Sequence, residues 1–393
     1  VLPQNIVNRI AAGEVIERPA SVVKELLENS IDAGSTQIDV TLRDGGQTLI
    51  IVDDNGIGMS EHEIITAVKR HATSKLPTDD LIHISSLGFR GEALPSIGSV
   101  SCLTIISSTG KSDSAWKLIL QGGFNNKIEP ERRSVGTRVE VRDLFFATPA
   151  RLKFLKTPRS EQLQTIDIIN RLAMAYPKIG FSLIDGSRTI LDHKPLVDKL
   201  TDVRLDRLTS IMGSGFSSNS MAIEANRDSI EVSGYASLPT LSRSNTSMQF
   251  LIVNGRPVRD KLLIGAVRGA YRDFLPSNRY PLLALFITLD PAKVDVNVHP
   301  AKTEVRFQDA ALVRGLIVGA LKHSLSEFGH RASTTFSTSA LGSFKSQHTL
   351  TNTPYNNSSP KACTTILEKD PTKHLPNMEH VPHARMIDDI ADD

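Results

Sequence analysis

The sequence predicts an α+β chain: two domains that mix helices with strands, then a disordered tail. Three observations carry that expectation. A helical pattern between Pro19 and Gly34 stands next to a β-branched run, Thr48 to Val52, that enters a glycine-rich turn. Strand-like runs at Glu231–Tyr235, Gln249–Val253, Leu282–Leu289 and Val294–Val298 alternate with helical stretches. Residues 331–360 hold 13 Ser or Thr and few large apolar side chains, too few to offset chain entropy.

Composition sets the bounds. The 393 residues leave room for two or three domains, and 40% hydrophobic with 22% charged is an ordinary soluble balance. With 45 basic and 43 acidic residues the net charge is +2, so bulk charge does not announce nucleic acid. Cys102 and Cys363 fit neither a metal spacing nor a disulfide framework, which suits a reducing cytosol. No apolar run approaches the roughly 20 residues of a membrane helix, and Leu282–Leu289 reads as a core strand. No leader precedes Val1, so secretion is not expected, and the missing initiator Met fits a trimmed chain or a fragment.

The first helix is bounded by Pro19 at its first turn and Gly34 just past its end. Val22, Val23, Leu26, Leu27 and Ile31 form its buried stripe. Glu25, Asn29 and Asp32 fall on a different arc, about 60° wide. An amide oxygen at Asn29 can ligate a hard cation such as Mg²⁺, and a carboxylate at Glu25 can take a proton from water. A solvated polar face is the plainer alternative. The next run ends in Asp53-Asp54-Asn55-Gly56-Ile57-Gly58, where a fixed Asp54 carboxylate can accept from an exocyclic amine such as that of adenine. Ser86-Leu87-Gly88-Phe89-Arg90-Gly91-Glu92-Ala93-Leu94 is a glycine-rich loop leading into a helix, a setting that suits phosphate. It lacks the endings of a Walker loop or a dinucleotide fingerprint. Gly136-Thr137 opens a further strand.

In this order the four pieces follow the pattern of the GHKL ATPases. Within that superfamily the chain closely resembles the bacterial-type MutL family of DNA mismatch repair proteins. The resemblance rests on Ile10-Ala11-Ala12-Gly13-Glu14-Val15-Ile16-Glu17-Arg18-Pro19, His71-Ala72-Thr73-Ser74-Lys75, Gly88 to Leu94, Val253-Asn254-Gly255-Arg256 and Val294-Asp295-Val296-Asn297-Val298-His299-Pro300-Ala301-Lys302. It runs from the first residue to about residue 330. It implies a two-layer α/β sandwich of the Bergerat type over 1–200, a ribosomal S5-like α/β domain over 201–330 and a linker over 331–393.

The resemblance also implies roles, with ATP and Mg²⁺ as cofactors. Glu25 matches the general base, Asn29 the magnesium ligand, and Asp54 the adenine reader with Gly58 close to the base. Thr73, Ser74, Lys75, Leu87, Gly88, Phe89, Arg90 and Gly91 match a lid over the phosphates, and Thr137 a residue near the adenine. Lys302 matches a lysine that reaches the γ-phosphate from the second domain. The implied function is a slow ATPase that dimerises through its N-terminal domains on ATP binding and clamps DNA. The implied partners are a second copy, DNA, a MutS-type mismatch sensor and downstream nicking or unwinding enzymes, in the cytoplasm on the nucleoid. The family's C-terminal dimerisation domain is not in the sequence. The alternatives are a gyrase-like or other GHKL ATPase, or a DNA-binding scaffold with a vestigial ATP site.

DNA contact is expected in the second domain. Residues 241–280 carry seven basic side chains against Asp260 and Asp273. A helix predicted from Asp260 to Phe274 puts Lys261, Arg268 and Arg272 on one face, away from its leucines. With Arg256 and Arg259 these form a candidate phosphate-binding surface without base reading. A solvated helix face is again the plainer alternative. Further helices are predicted from Leu205 to Met212 and from about Ala310 to Phe328.

Overall fold

A computed structural model describes residues 12–13, 16–70, 72, 87–88, 91–110, 114–122, 124–196, 202–296, 298 and 303–343. In the first half, α1 (Pro19–Asp32) is followed by β1 (Gln37–Arg43), β2 (Leu49–Asp54), α2 (Glu61–Ala67) and α3 (Ala93–Val100). Then come β3 (Cys102–Ser108), β4 (Ala115–Gln121), β5 (Phe124–Glu131), β6 (Gly136–Arg142), α4 (Pro149–Leu152), α5 (Pro158–Ala175), β7 (Gly180–Asp185) and β8 (Arg188–His193).

These strands form one eight-stranded sheet in the order β5-β4-β3-β6-β2-β1-β7-β8. Only the β1–β7 pair is parallel. Burial along β1 alternates: Ile38, Val40 and Leu42 point inward while Asp39 and Arg43 are exposed. The inward set shares a core with Val22, Val23, Leu26 and Leu27 of α1, Ile97 and Val100 of α3, and Ile169 and Leu172 of α5. One face of the sheet carries the helices, which makes two layers.

In the second half, α6 (Val203–Met212) and α7 (Gly215–Ser218) lead into β9 (Ser220–Arg227), β10 (Ile230–Ser237), β11 (Ser242–Arg243), β12 (Gln249–Val253) and β13 (Arg256–Val258). They are followed by α8 (Lys261–Ala270), β14 (Tyr280–Pro281), β15 (Leu283–Thr288), β16 (Val294–Asp295), β17 (Arg306–Phe307) and α9 (Ala310–Ser343). A five-stranded sheet runs β13-β12-β15-β10-β9, with β12 and β15 parallel. Leu251, Val253, Leu283, Leu285 and Ile287 pack with α8 and α9. Their neighbours Phe250, Ile252, Leu282, Ala284 and Phe286 pack with Met174 of α5, Leu208 and Met212 of α6, and Phe216 of α7. Both faces of the central strands are therefore buried, which is why Leu282–Leu289 shows no alternation.

Several boundaries differ from expectation. The helix predicted to Phe274 ends at Ala270, and Asp260 caps it instead of starting it, accepting from the N–H groups of Leu262 and Leu263. Past its end the Tyr271 hydroxyl is tied to the Ser237 carbonyl at 2.6 Å. The strand predicted over Val294–Val298 is only Val294–Asp295, paired with β17. The last helix continues past Phe328 to Ser343. The disordered linker expected from residue 331 is therefore helical up to residue 343, and its remainder lies outside the described residues.

Candidate functional site

The site grows from the end of β2. Asp54 pairs in register with Thr137 at the start of β6. Its Oδ1 accepts from the N–H of Gly56 at 2.9 Å and of Thr137 at 3.2 Å. Its Oδ2 accepts from the Ser30 hydroxyl on α1 at 2.7 Å. A carboxylate offers about four acceptor positions, so three bonds leave Oδ2 room for one more donor. Asp54 keeps 7% of its surface exposed.

A second set of bonds fixes Thr137. Its hydroxyl is 2.8 Å from that of Ser107. The Ser107 oxygen also accepts from the Met59 N–H at 2.8 Å and faces the Gly136 carbonyl at 3.1 Å. One assignment satisfies all three: Ser107 donates to Gly136 and accepts from Met59 and Thr137. Two glycines allow the strand ends to close this tightly. Gly58 has φ +69°, and a Cβ there would lie 1.9 Å from the Ser108 carbonyl oxygen. Gly136 has φ +125°, and a Cβ there would lie 2.0 Å from the Asp54 carbonyl oxygen. Both approaches exclude any other residue. From outside, Arg133 pairs with the Asp53 carboxylate at 2.7 Å and donates to the Asp54 carbonyl at 2.9 Å.

The opposite wall is α1. Glu25, Asn29 and Asp32 are all half-buried on this helix, while Val22, Val23, Leu26 and Leu27 are buried. Ser30 follows Asn29 directly, so its bond to Asp54 sets the helix against the strand end. Asp32 accepts from the Leu87 N–H at 3.0 Å and the Gly88 N–H at 3.1 Å. The two amides assigned to a phosphate lid are thus held by α1. Gly91 lies near Ala72, whose carbonyl oxygen a Cβ at Gly91 would approach to 2.6 Å. Thr73, Ser74, Lys75, Phe89, Arg90 and Lys302 lie outside the described residues. Among the described residues no group of three or more His, Cys, Asp or Glu could hold a metal ion. Asn29 and Glu25 supply hard oxygen donors, which fits a Mg²⁺ bound by one or two protein ligands plus phosphate.

The basic surface needs a correction. Arg256 does not belong to it: the side chain is buried and donates to the Leu87 carbonyl at 3.1 Å. Arg259 is exposed but paired with Asp167 of α5 at 2.6 Å. Arg268 and Arg272 are exposed and line a concavity of about 370 Å³ together with Arg279 and Tyr280. Arg268 sits 5.8 Å from the Tyr280 ring, and Arg279 is fixed on the Ser242 hydroxyl at 3.1 Å. Because α8 stops at Ala270, Arg272 projects from the turn that follows it.

Sequence reasoning missed Ser30, Ser107 and Arg133. Ser30 left one trace, a hydroxyl on the apolar side of an amphipathic helix. The other two come from distant strands and loops and left none.

Comparisons with known proteins bear on the family and the fold. A family model described as "Histidine kinase-, DNA gyrase B-, and HSP90-like ATPase" matches residues 16–133. One described as "DNA mismatch repair protein, C-terminal domain" matches residues 208–326. The DNA mismatch repair protein MutL of Rhodospirillum rubrum is 57% identical over 345 residues, covering 88% of the chain and 55% of the relative. That of Paramagnetospirillum magneticum is 57% identical over 342 residues, covering 87% and 56%. The chain thus spans about half the length of the curated relatives it matches. Among solved structures, the N-terminal domain of a DNA repair protein superposes with a TM-score of 0.70 at 28% identity, covering 82% of this chain and 98% of that one. The Aquifex aeolicus MutL ATPase domain complexed with ADP gives 0.55 at 26% identity, covering 77% and 98%.

Proposed function

The chain belongs to the MutL family of DNA mismatch repair proteins, and on that premise we propose that it is an ATP-operated switch in mismatch repair. ATP is bound and slowly hydrolysed between α1 and the β2 end. The observation that carries this reading is the three-donor cage on Asp54, in which one donor, Ser30, comes from the helix that bears Glu25 and Asn29.

The residues divide the work. Asp54 takes the exocyclic amine of adenine on its remaining acceptor position, and Gly58 leaves space for the base. Asn29 would hold Mg²⁺, which when bound would supply positive charge against the phosphates. Glu25 takes the proton from a water that adds to the γ-phosphorus, as the bond to the bridging oxygen breaks and ADP leaves. Leu87 and Gly88, anchored on Asp32 through their amides, form the base of a lid that with Thr73, Ser74, Lys75, Phe89, Arg90 and Gly91 closes over the phosphates. Lys302 reaches the γ-phosphate and lets the second sheet sense it.

Nucleotide binding pairs two N-terminal halves, and the paired halves hold DNA through Arg268, Arg272 and neighbouring cations. The switch then couples a MutS-type mismatch sensor to nicking or unwinding enzymes, in the cytoplasm on the nucleoid. Among the described residues no helix is long and apolar enough to cross a membrane.

Phosphate release tests the catalytic core of this reading. The wild type should release phosphate above background, and Glu25→Ala should bind nucleotide but hydrolyse it about 10² times more slowly. Release at background by the wild type would leave the DNA-binding scaffold as the better account.

A further inference from the structure

We propose that Arg256 is a positioning residue for the nucleotide site, gripping the Leu87–Gly88 peptide from the side opposite Asp32 and so linking the second sheet to the helix of Glu25 and Asn29. This rests on the reading of that helix as one wall of the nucleotide site. Arg256 opens β13 after a two-residue Asn254-Gly255 turn, and both turn residues have positive φ, 47° and 80°. That is the tight hairpin geometry that matches strand twist. The Asn254 side chain locks the turn, donating to the Leu289 carbonyl at 2.9 Å and accepting its N–H at 3.0 Å. Arg256 therefore leaves the sheet from a rigid corner.

Its destination is unusual for an arginine. The residue is only 6% exposed, and a buried cation is tolerated only where its surroundings stabilise it. Its Nη2 donates to the Leu87 carbonyl at 3.1 Å. In a trans peptide the C=O and N–H point opposite ways. The N–H of this same peptide, that of Gly88, donates to Asp32 Oδ2 at 3.1 Å, and the Leu87 N–H donates to Oδ1 at 3.0 Å. A cation grips one edge of the peptide plane and an anion the other, and both bonds are charge-assisted. Tyr176, just past α5, marks the same pocket. Burial pushes its hydroxyl up to about 12, with Asp32 adding to the rise and Arg256 opposing it.

The consequence is directional. Asp32 ends α1, one turn beyond Asn29. Holding the Leu87–Gly88 peptide against Asp32 pre-organises the helix end that carries Asn29 before nucleotide arrives, and pre-organisation lowers the ordering cost of binding. Removing the Arg256 grip should weaken nucleotide binding although Arg256 does not touch the nucleotide.

The test uses the whole chain with Arg256→Met and Arg256→Lys, a non-hydrolysable ATP analogue, and hydrogen exchange at the Leu87 and Gly88 amides. Arg256→Met should bind the analogue about tenfold more weakly and exchange both amides faster, with the protection of β3 and β6 unchanged. Arg256→Lys keeps the charge and loses the fork; it should shift both readouts the same way by a smaller step, and it carries the test if the Met variant does not fold. Folded variants with wild-type affinity and wild-type exchange at Leu87 and Gly88 would overturn the proposal. A wild type that binds no analogue would instead remove the nucleotide reading, while exchange at the two amides still reports on the grip.

Discussion

The Ser30 hydroxyl donates to Oδ2 of Asp54 at 2.7 Å, across a gap of 24 residues. The bond joins the helix of Glu25 and Asn29 to the strand end that closes on Thr137. The wall proposed for phosphate chemistry and the carboxylate proposed for the base are thereby set as one unit.

Ser30→Ala should expose how much depends on that bond. It leaves a buried carboxylate one donor short, a loss of about 1–3 kcal/mol. Urea unfolding should show it directly, and nucleotide titration should show weaker binding. A variant equal to wild type in both would make the contact incidental.

Gly58→Ala forces a side chain onto a backbone at φ +69°, with its Cβ aimed at the Ser108 carbonyl. Strain at such a position runs to about 1–3 kcal/mol. The β2 end and the Gly58 turn must shift, so nucleotide affinity should fall at least about tenfold, or roughly 1.4 kcal/mol. Undiminished affinity in a titration would place the base elsewhere.

Reversing Arg268 and Arg272 to Glu should weaken DNA binding steeply at low salt. The slope of log affinity against log salt should shrink by about 0.9 for each phosphate that is no longer neutralised. Both side chains are exposed, so thermal unfolding should hardly move. An unchanged slope would take this concavity out of the DNA-binding surface.

His193 predicts a pH dependence of stability. Burial, then the Arg207 charge, lowers its pKa from 6.5 to about 4. Its Nε2 is 2.8 Å from Asn170 Oδ1, a contact the neutral ring can make as donor. The unfolded chain binds the proton more readily, so this contribution is fully present above pH 6.5 and is lost as pH falls toward about 4. Unfolding midpoints measured across that window should drop for the wild type and drop less for His193→Gln. Parallel curves would assign the acid sensitivity to other groups.

Much of the fold was legible because period and punctuation agree. Pro19 and the apolar stripe placed α1, and Gln249–Val253 emerged as a strand at its predicted ends. Helix ends decided by distant contacts were not legible: α8 stops at Ala270 where Tyr271 turns to Ser237. In the site, spacing put Glu25, Asn29 and Asp32 on one polar arc but left a solvated face as the plainer reading. The family resemblance gave Glu25 and Asn29 their roles. The contact of Asp32 with the Leu87 and Gly88 amides was not foreseen, and the structure sets the helix against Asp54. Ser107 and Arg133 were invisible, since their partners are 29 or more residues away. Arg256 was misread because a charge count treats every arginine as solvated, while only the tertiary structure shows a peptide gripped inside.

The most direct measurement is a competition between ATP and inosine triphosphate, which carries a keto oxygen in place of the exocyclic amine. With Asp54 as an acceptor facing that position, the wild type should prefer ATP by at least about tenfold, the scale of one buried hydrogen bond. Asp54→Asn should lose affinity for ATP and lose the preference with it. Equal binding of the two nucleotides by the wild type, or a preference that survives in Asp54→Asn, would contradict the account.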